Sequence, residues 1–138
     1  MIYDDKGNVL VENKRVNDKY GIIFPGGHIE DRESIVDSVR REVWEETGLT
    51  IGHIYPCGVK DWVEEDGSRY LVFLYKTNDY SGTLKSSKEG NVFWIPLKDL
   101  CSLELLWHLE KMLYVFCKDN YSEIYFDRKG SSTEPILK

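Results

Sequence analysis

No run of about eighteen apolar residues occurs anywhere in the 138-residue chain, so no segment reads as a membrane-crossing helix. The first residues, "MIYDDKGNVL", lack the basic and then apolar layout of a secretory signal. No CxxC pair is present: Cys57, Cys101 and Cys117 are odd in number and widely spaced, which predicts free thiols in a reducing compartment, with a pairing of two as the alternative. Dense basic clusters are absent too. Lys and Arg gather only at Asn13–Arg15, at Arg40-Arg41 and near the C-terminus, and the net charge is −6. That balance argues against a duplex nucleic-acid partner, which needs a basic face. An acidic protein still binds a phosphate compound when a metal ion mediates the contact. The expectation is a cytoplasmic protein with neither a membrane nor a duplex partner.

Repeats, low-complexity tracts and Pro/Gly-rich linkers are also lacking, so the length suits one domain with a substantial core. The predicted boundaries are 1–127 for that domain and 128–138 for a mobile tail, "RKGSSTEPILK". "DDKGN" separates "MIY" from "VLVEN" as a hairpin, and the very short first strand suggests that the chain starts inside one. "GIIF" reads as a buried strand ending at Pro25. Asp66-Gly67 turns a second hairpin between "IGHIYPCGVKDWVEE" and "RYLVFLYKT". "NVFWI" and "SEIYF" read as further strands, and the apolar spacing from Ser102 to Cys117 predicts a helix.

A second helix is predicted over Ser34–Thr47. Ser34 and Asp37 have capping-box spacing, Gly48 supplies the stop, and Ile35, Val36, Val39 and Val43 form an apolar stripe. Mixed strands and helices make the fold class α/β, with a sheet between helices. Glu42, Glu45 and Glu46 lie on one flank of the stripe. Like charges at that spacing repel by about a few tenths of a kcal/mol per pair. Either they face water, or a cation sits among them.

From Gly27 to Leu49 the chain matches GX5EX7REUXEEXGU, with U apolar, at every specified position: Gly27, Glu33, Arg41, Glu42, Val43, Glu45, Glu46, Gly48 and Leu49. A chance match is roughly one in a billion per window at average residue usage. This segment resembles the Nudix box, and the resemblance implies the Nudix fold, an α/β/α sandwich around a mixed sheet. It also implies hydrolysis of a nucleoside diphosphate-linked substrate, assisted by Mg²⁺ or, in its place, Mn²⁺. A pyrophosphate linkage repels an attacking water through its own charge, and a hard cation on oxygen ligands neutralises it and acidifies water.

By the same resemblance, Glu42, Glu45, Glu46 and the Gly26 carbonyl are expected to hold the metal. Arg41 and Glu33 are expected to support the loop and orient the catalytic carboxylate. Glu89, in "KEG" before a strand, is the candidate for the additional ligand or general base that the family often draws from outside the box. His28, inside the box at a variable position, reads as incidental.

The box leaves the leaving group open. A proline some way after it, usual in the ADP-ribose hydrolases of the family, is absent from "VEEDGSRY", and "NKRVNDKYGIIF" does not resemble the coenzyme A hydrolase segment. "GIIFPGGHIE" and "KEG" resemble MutT-type (d)NTP pyrophosphatases, some of which act on 8-oxo-dGTP. The leading expectation is cleavage of such a nucleotide to monophosphate and pyrophosphate. A nucleotide sugar, a dinucleoside polyphosphate or capped RNA are the alternatives, followed by a non-catalytic sensor domain. A homodimer is compatible with the family.

Overall fold

Asp4 sets the first reversal of the chain. Its carboxylate accepts the backbone N–H groups of Lys6 and Asn8, at 2.9 and 2.8 Å, and Gly7 adopts a left-handed φ of 82°. This local Asx geometry turns β1 (Ile2–Tyr3) into β2 (Asn8–Val16). The computed structural model describes residues 1–127 and 134–138. In chain order there follow β3 (Lys19–Ile23), α1 (Ile35–Thr47), β4 (Leu49–Ile51), β5 (Tyr55–Val63) and β6 (Arg69–Lys76). Then come β7 (Tyr80–Gly82), β8 (Gly90–Pro96), α2 (Leu109–Cys117), β9 (Glu123–Phe126) and β10 (Ile136–Leu137). The chain divides into a unit of Met1–Ile54 with Thr77–Trp107 and a unit of Tyr55–Lys76 with His108–Lys138.

In the first unit β2 is central, antiparallel to β1 and β3 along one edge and to β8 along the other. The β2–β3 connection is a hairpin missed by the sequence reading. Asn17 and Asp18 both take positive φ, 47° and 64°, as a tight two-residue turn requires, and Val16 pairs with Lys19. β2 therefore extends past "VLVEN" and carries Lys14 into the sheet. Ser34 caps α1 by accepting the Asp37 N–H at 3.1 Å; Gly48, at φ 71°, closes it by donating to the Trp44 carbonyl at 2.8 Å. Val43 is buried with Ile2, Leu10, Leu49, Ile51 and Val92, and Val39 packs against that cluster. Ile35 and Val36, placed on the same stripe, are only half-buried.

In the second unit Asp66-Gly67 turns β5 into β6 as expected, with Gly67 at φ 89°. β9 joins β5 in parallel and β10 joins β9 antiparallel, which makes this sheet mixed. Trp62 and Tyr70 stack on each other across the hairpin at 4.4 Å. Of the stretch read as a mobile tail, 128–133 lies outside the described residues. Its far end is tied down: Ile136 pairs with Tyr125 and Leu137 with Ile124.

The helix expected over Ser102–Cys117 needs correction. Leu97–Ser102 is a 3₁₀ turn and only Leu109–Cys117 is α-helical. Between them the backbone hydrogen-bonds to β3: the Ile22 N–H donates to Glu104 O at 2.8 Å, and the Leu106 N–H to Ile22 O at 3.0 Å. Trp107 and His108 then take left-handed φ values of 52° and 59°. Pairing with a strand satisfies these backbone groups in place of a helical turn, and periodicity along one segment does not register such a partner. The described residues contain no helix long and apolar enough to cross a membrane, and Cys57, Cys101 and Cys117 are free thiols.

Candidate functional site

The α1 carboxylates differ sharply in exposure. The Glu45 side chain is 48% exposed, Glu42 14% and Glu46 1%. The helix turns Glu46 inward, beneath the loop that precedes it, where its Oε2 accepts the Gly26 N–H at 2.8 Å. Sequence reasoning gave Gly26 a carbonyl role; the contact observed here is through its N–H. A Cβ at Gly27 would overlap the Glu42 carboxylate, so glycine lets that side chain keep its place against the loop.

Two cations of the protein hold these acids. Arg41 binds Glu33 with both arms of its fork, Nε to Oε1 at 2.8 Å and Nη2 to Oε2 at 2.9 Å. Its Nη1 reaches Glu42 at 2.9 Å and Glu45 at 3.2 Å, and Nη2 also donates to the His28 carbonyl at 3.0 Å. The Arg41 hydrogen bonds hold the Glu33 carboxyl down at about 2. His28 thus takes part through its backbone. Lys14, from β2, is the second cation. Its Nζ donates to Glu46 Oε1 at 3.2 Å, makes a short contact with Glu89, and lies 4.0 Å from Glu12 Oε2. Burial opposes the charge on Lys14, but Glu89, Glu46 and Glu12 outweigh it and raise its pKa.

The predicted box residues thus fall in two sets, Glu33, Glu42 and Glu45 on Arg41 and Glu46 on Lys14 with the Gly26 N–H, and Glu89 joins the second set through Lys14. Glu12 and Lys14 were not anticipated. Their signal was present in "VLVENK": a glutamate and a lysine two apart, in register with Leu10, interrupt a run in which Val9, Leu10 and Val11 are fully buried. Glu12 is 0% exposed, and among the described residues both of its oxygens lack a hydrogen-bond partner. Burial pushes its carboxyl up, with Lys14 partly opposing.

Among the described residues, no three His, Cys, Asp or Glu side chains converge tightly enough to hold a metal ion in this arrangement. Arg41 draws Glu42 and Glu45 one way and Lys14 draws Glu46 and Glu89 another. The donor set still fits a hard divalent cation. It is all oxygen, rich in carboxylate, and includes an orphaned buried carboxylate in Glu12.

Burial, reinforced by the neighbouring Glu12 charge, pushes the Glu46 carboxyl up from 4.5 to about 7. A carboxyl raised on folding favours the protonated native state. The stability that Glu46 contributes without metal is therefore full below about 4.5 and is lost as pH rises through about 7. Thermal melts in chelator at pH 5.5 and pH 8 check this. Wild type is expected to lose more stability across that interval than Glu46→Gln, which cannot titrate there.

A model of the Nudix domain matches residues 1–116. The chain belongs to the Nudix family. Among similar proteins, the uncharacterized Nudix hydrolase YvcI of Bacillus subtilis is 34% identical over 88 residues, covering 60% of this chain and 56% of YvcI. Phosphatase NudJ of Escherichia coli K12 is 33% identical over 70 residues, covering 51% of this chain and 46% of NudJ. The chain thus spans about half the length of the curated relatives it matches. The Nudix fold is shown by the Mutator MutT protein of Bacillus halodurans, which superposes with a TM-score of 0.76 at 24% identity over 99% of this chain and 93% of that one. The Nudix domain of Shewanella oneidensis NrtR, solved with ADP ribose, superposes with a TM-score of 0.69 at 19% identity, covering 83% and 79%.

Proposed function

We propose that this Nudix chain is a Mg²⁺-dependent pyrophosphohydrolase of nucleoside diphosphate-linked compounds, with Mn²⁺ able to substitute. The leading substrate is a (d)NTP such as 8-oxo-dGTP, cleaved to monophosphate and pyrophosphate in the cytoplasm. The observation that carries the reading is the set of carboxylates around the loop before α1: Glu42 and Glu46 meet the Gly26-Gly27 loop, Arg41 ties Glu42 to Glu33, and Lys14 holds Glu46. A solvated helix face would not bury Glu46 to 1% exposure. The resemblance of "GIIFPGGHIE" and "KEG" to MutT-type pyrophosphatases favours the triphosphate substrate. The ADP ribose held by the NrtR domain supports a second reading, in which the nucleoside diphosphate is linked to a sugar.

Glu42, Glu45 and Glu46, with Glu89 and the Gly26 carbonyl, would hold the divalent ion. When bound, that ion supplies charge neutralisation at the phosphates and acidifies water. Arg41 keeps Glu42 and Glu45 aligned, and Glu33 fixes Arg41. In the alternative role, as general base and not as ligand, Glu89, 54% exposed, would leave its Lys14 contact to take a proton from an attacking water. Glu89→Gln is therefore expected to lower kcat at least tenfold while shifting KM little. Steady-state kinetics decide this, and an unchanged kcat removes Glu89 from the reaction.

The substrate is tested by Mg²⁺-dependent release across a panel, with products identified by mass. The panel holds 8-oxo-dGTP, dGTP, ATP, ADP-ribose, a nucleotide sugar, a dinucleoside polyphosphate and capped RNA. Preference for 8-oxo-dGTP, giving monophosphate and pyrophosphate, supports the leading reading. Preference for another compound keeps the reaction and replaces the substrate.

A further inference from the structure

Three carboxylates surround one ammonium at this site. Glu12 comes from β2, Glu46 from α1, and Glu89 from the segment leading into β8. The sheet register builds this meeting: Lys14 pairs with Gly90, so Glu89 stands one residue beyond the pair. Gly90 leaves room for Glu12, since a Cβ there would come within 2.8 Å of the Glu12 Cγ and Oε1. Lys14 is within hydrogen-bond reach of Glu46 and Glu89 but pairs with Glu12 only at 4.0 Å; among the described residues no N–H or hydroxyl donates to either Glu12 oxygen, and the group that can share a proton with it is the neighbouring Glu46 carboxyl.

A fully buried carboxylate is strongly disfavoured unless it is closely paired or coordinates a metal, and an ammonium 4.0 Å away pairs Glu12 only loosely. An ammonium on a flexible stem serves the two nearer acids. A hard divalent cation, with roughly six oxygen positions to fill, accepts all three.

We propose that Glu12 is a further metal-ligating carboxylate of this centre, and that the Lys14 ammonium is the stand-in cation that a divalent ion displaces. The inference rests on the metal reading given above and extends it to a strand outside the box. It separates two roles on β2: Glu12 holds the metal, and Lys14 keeps the acids from repelling one another until the metal arrives.

The deciding experiment is a crystal structure of the full chain soaked in Mn²⁺, read by anomalous scattering. The expected map has a peak bonded to a Glu12 oxygen, with Lys14 Nζ moved off Glu46. A peak bonded only to Glu42, Glu45, Glu46 or Glu89, with Glu12 remote, overturns this inference and leaves the metal reading standing. No peak at any of these carboxylates overturns both.

Calorimetric titration with Mn²⁺ adds an independent readout. Glu12→Gln is expected to weaken binding about tenfold or more, the scale of losing a group that supports a metal site. Lys14→Met is expected to tighten binding severalfold, because the resident competitor is gone. Wild-type affinity in folded Glu12→Gln, or weaker binding in Lys14→Met, contradicts the proposal.

Discussion

Glu46→Gln is expected to abolish metal-dependent turnover and leave the chain folded. The amide is nearly isosteric and its carbonyl oxygen can still accept the Gly26 N–H, so the loop above α1 keeps its anchor. What disappears is the negative charge that a divalent ion needs. Groups that stabilise developing charge are typically worth about 10²–10³ in kcat, and a metal ligand at the centre of the cluster belongs at or beyond the upper end. The same change removes a buried charge next to Glu12, so the metal-free variant should melt no lower than wild type near pH 8. Turnover and melting temperature measured together separate the two effects. A variant that unfolds would mean that Glu46 serves the structure first.

Arg41→Lys carries the second large effect. One guanidinium fork holds Glu33 with two hydrogen bonds and reaches Glu42 and Glu45 with its remaining arm. Lysine retains the charge but offers a point donor on a flexible stem, so it cannot hold these partners in one plane. Glu42 and Glu45 then lose their common orientation. Groups that orient metal ligands typically cost about 10–100-fold in activity or metal affinity when changed, and turnover should fall by that factor. Because Glu33 works through Arg41, Glu33→Gln should be costly in wild type and nearly silent in the Arg41→Lys background. Independent, additive losses would show that the two residues act separately.

The parts of the site that were legible in the sequence share one physical property: they are local. Glu42, Glu45 and Glu46 lie within a single helical turn of one another, so spacing alone places them on a common flank. Ser34 and Gly48 mark the ends of α1 through caps a few residues long. Glu12 and Lys14 were hidden because their importance comes from pairing across the sheet. Lys14 meets Glu89 only because β2 aligns with β8 over Asn8–Lys14. No short turn joins these two strands: the Asp4 turn and the Asn17-Asp18 reversal connect β2 to β1 and to β3, and of these only the first was read. The helix expected over Ser102–Cys117 was overlong for a related reason. Leu103, Leu106 and Trp107 have helical apolar spacing, but the backbone of Glu104 and Leu106 finds its hydrogen bonds on Ile22.

In the proposed reaction the α1 carboxylates act by holding a divalent cation. This role is tested most directly by titrating Mn²⁺ into wild type and Glu46→Gln and following nucleotide hydrolysis in the same samples, with and without chelator. The account predicts saturable Mn²⁺ binding and turnover in wild type, loss of turnover with chelator, and neither binding at wild-type affinity nor turnover in Glu46→Gln. Hydrolysis that persists in chelator, or Mn²⁺ binding and turnover that Glu46→Gln leaves intact, would contradict it.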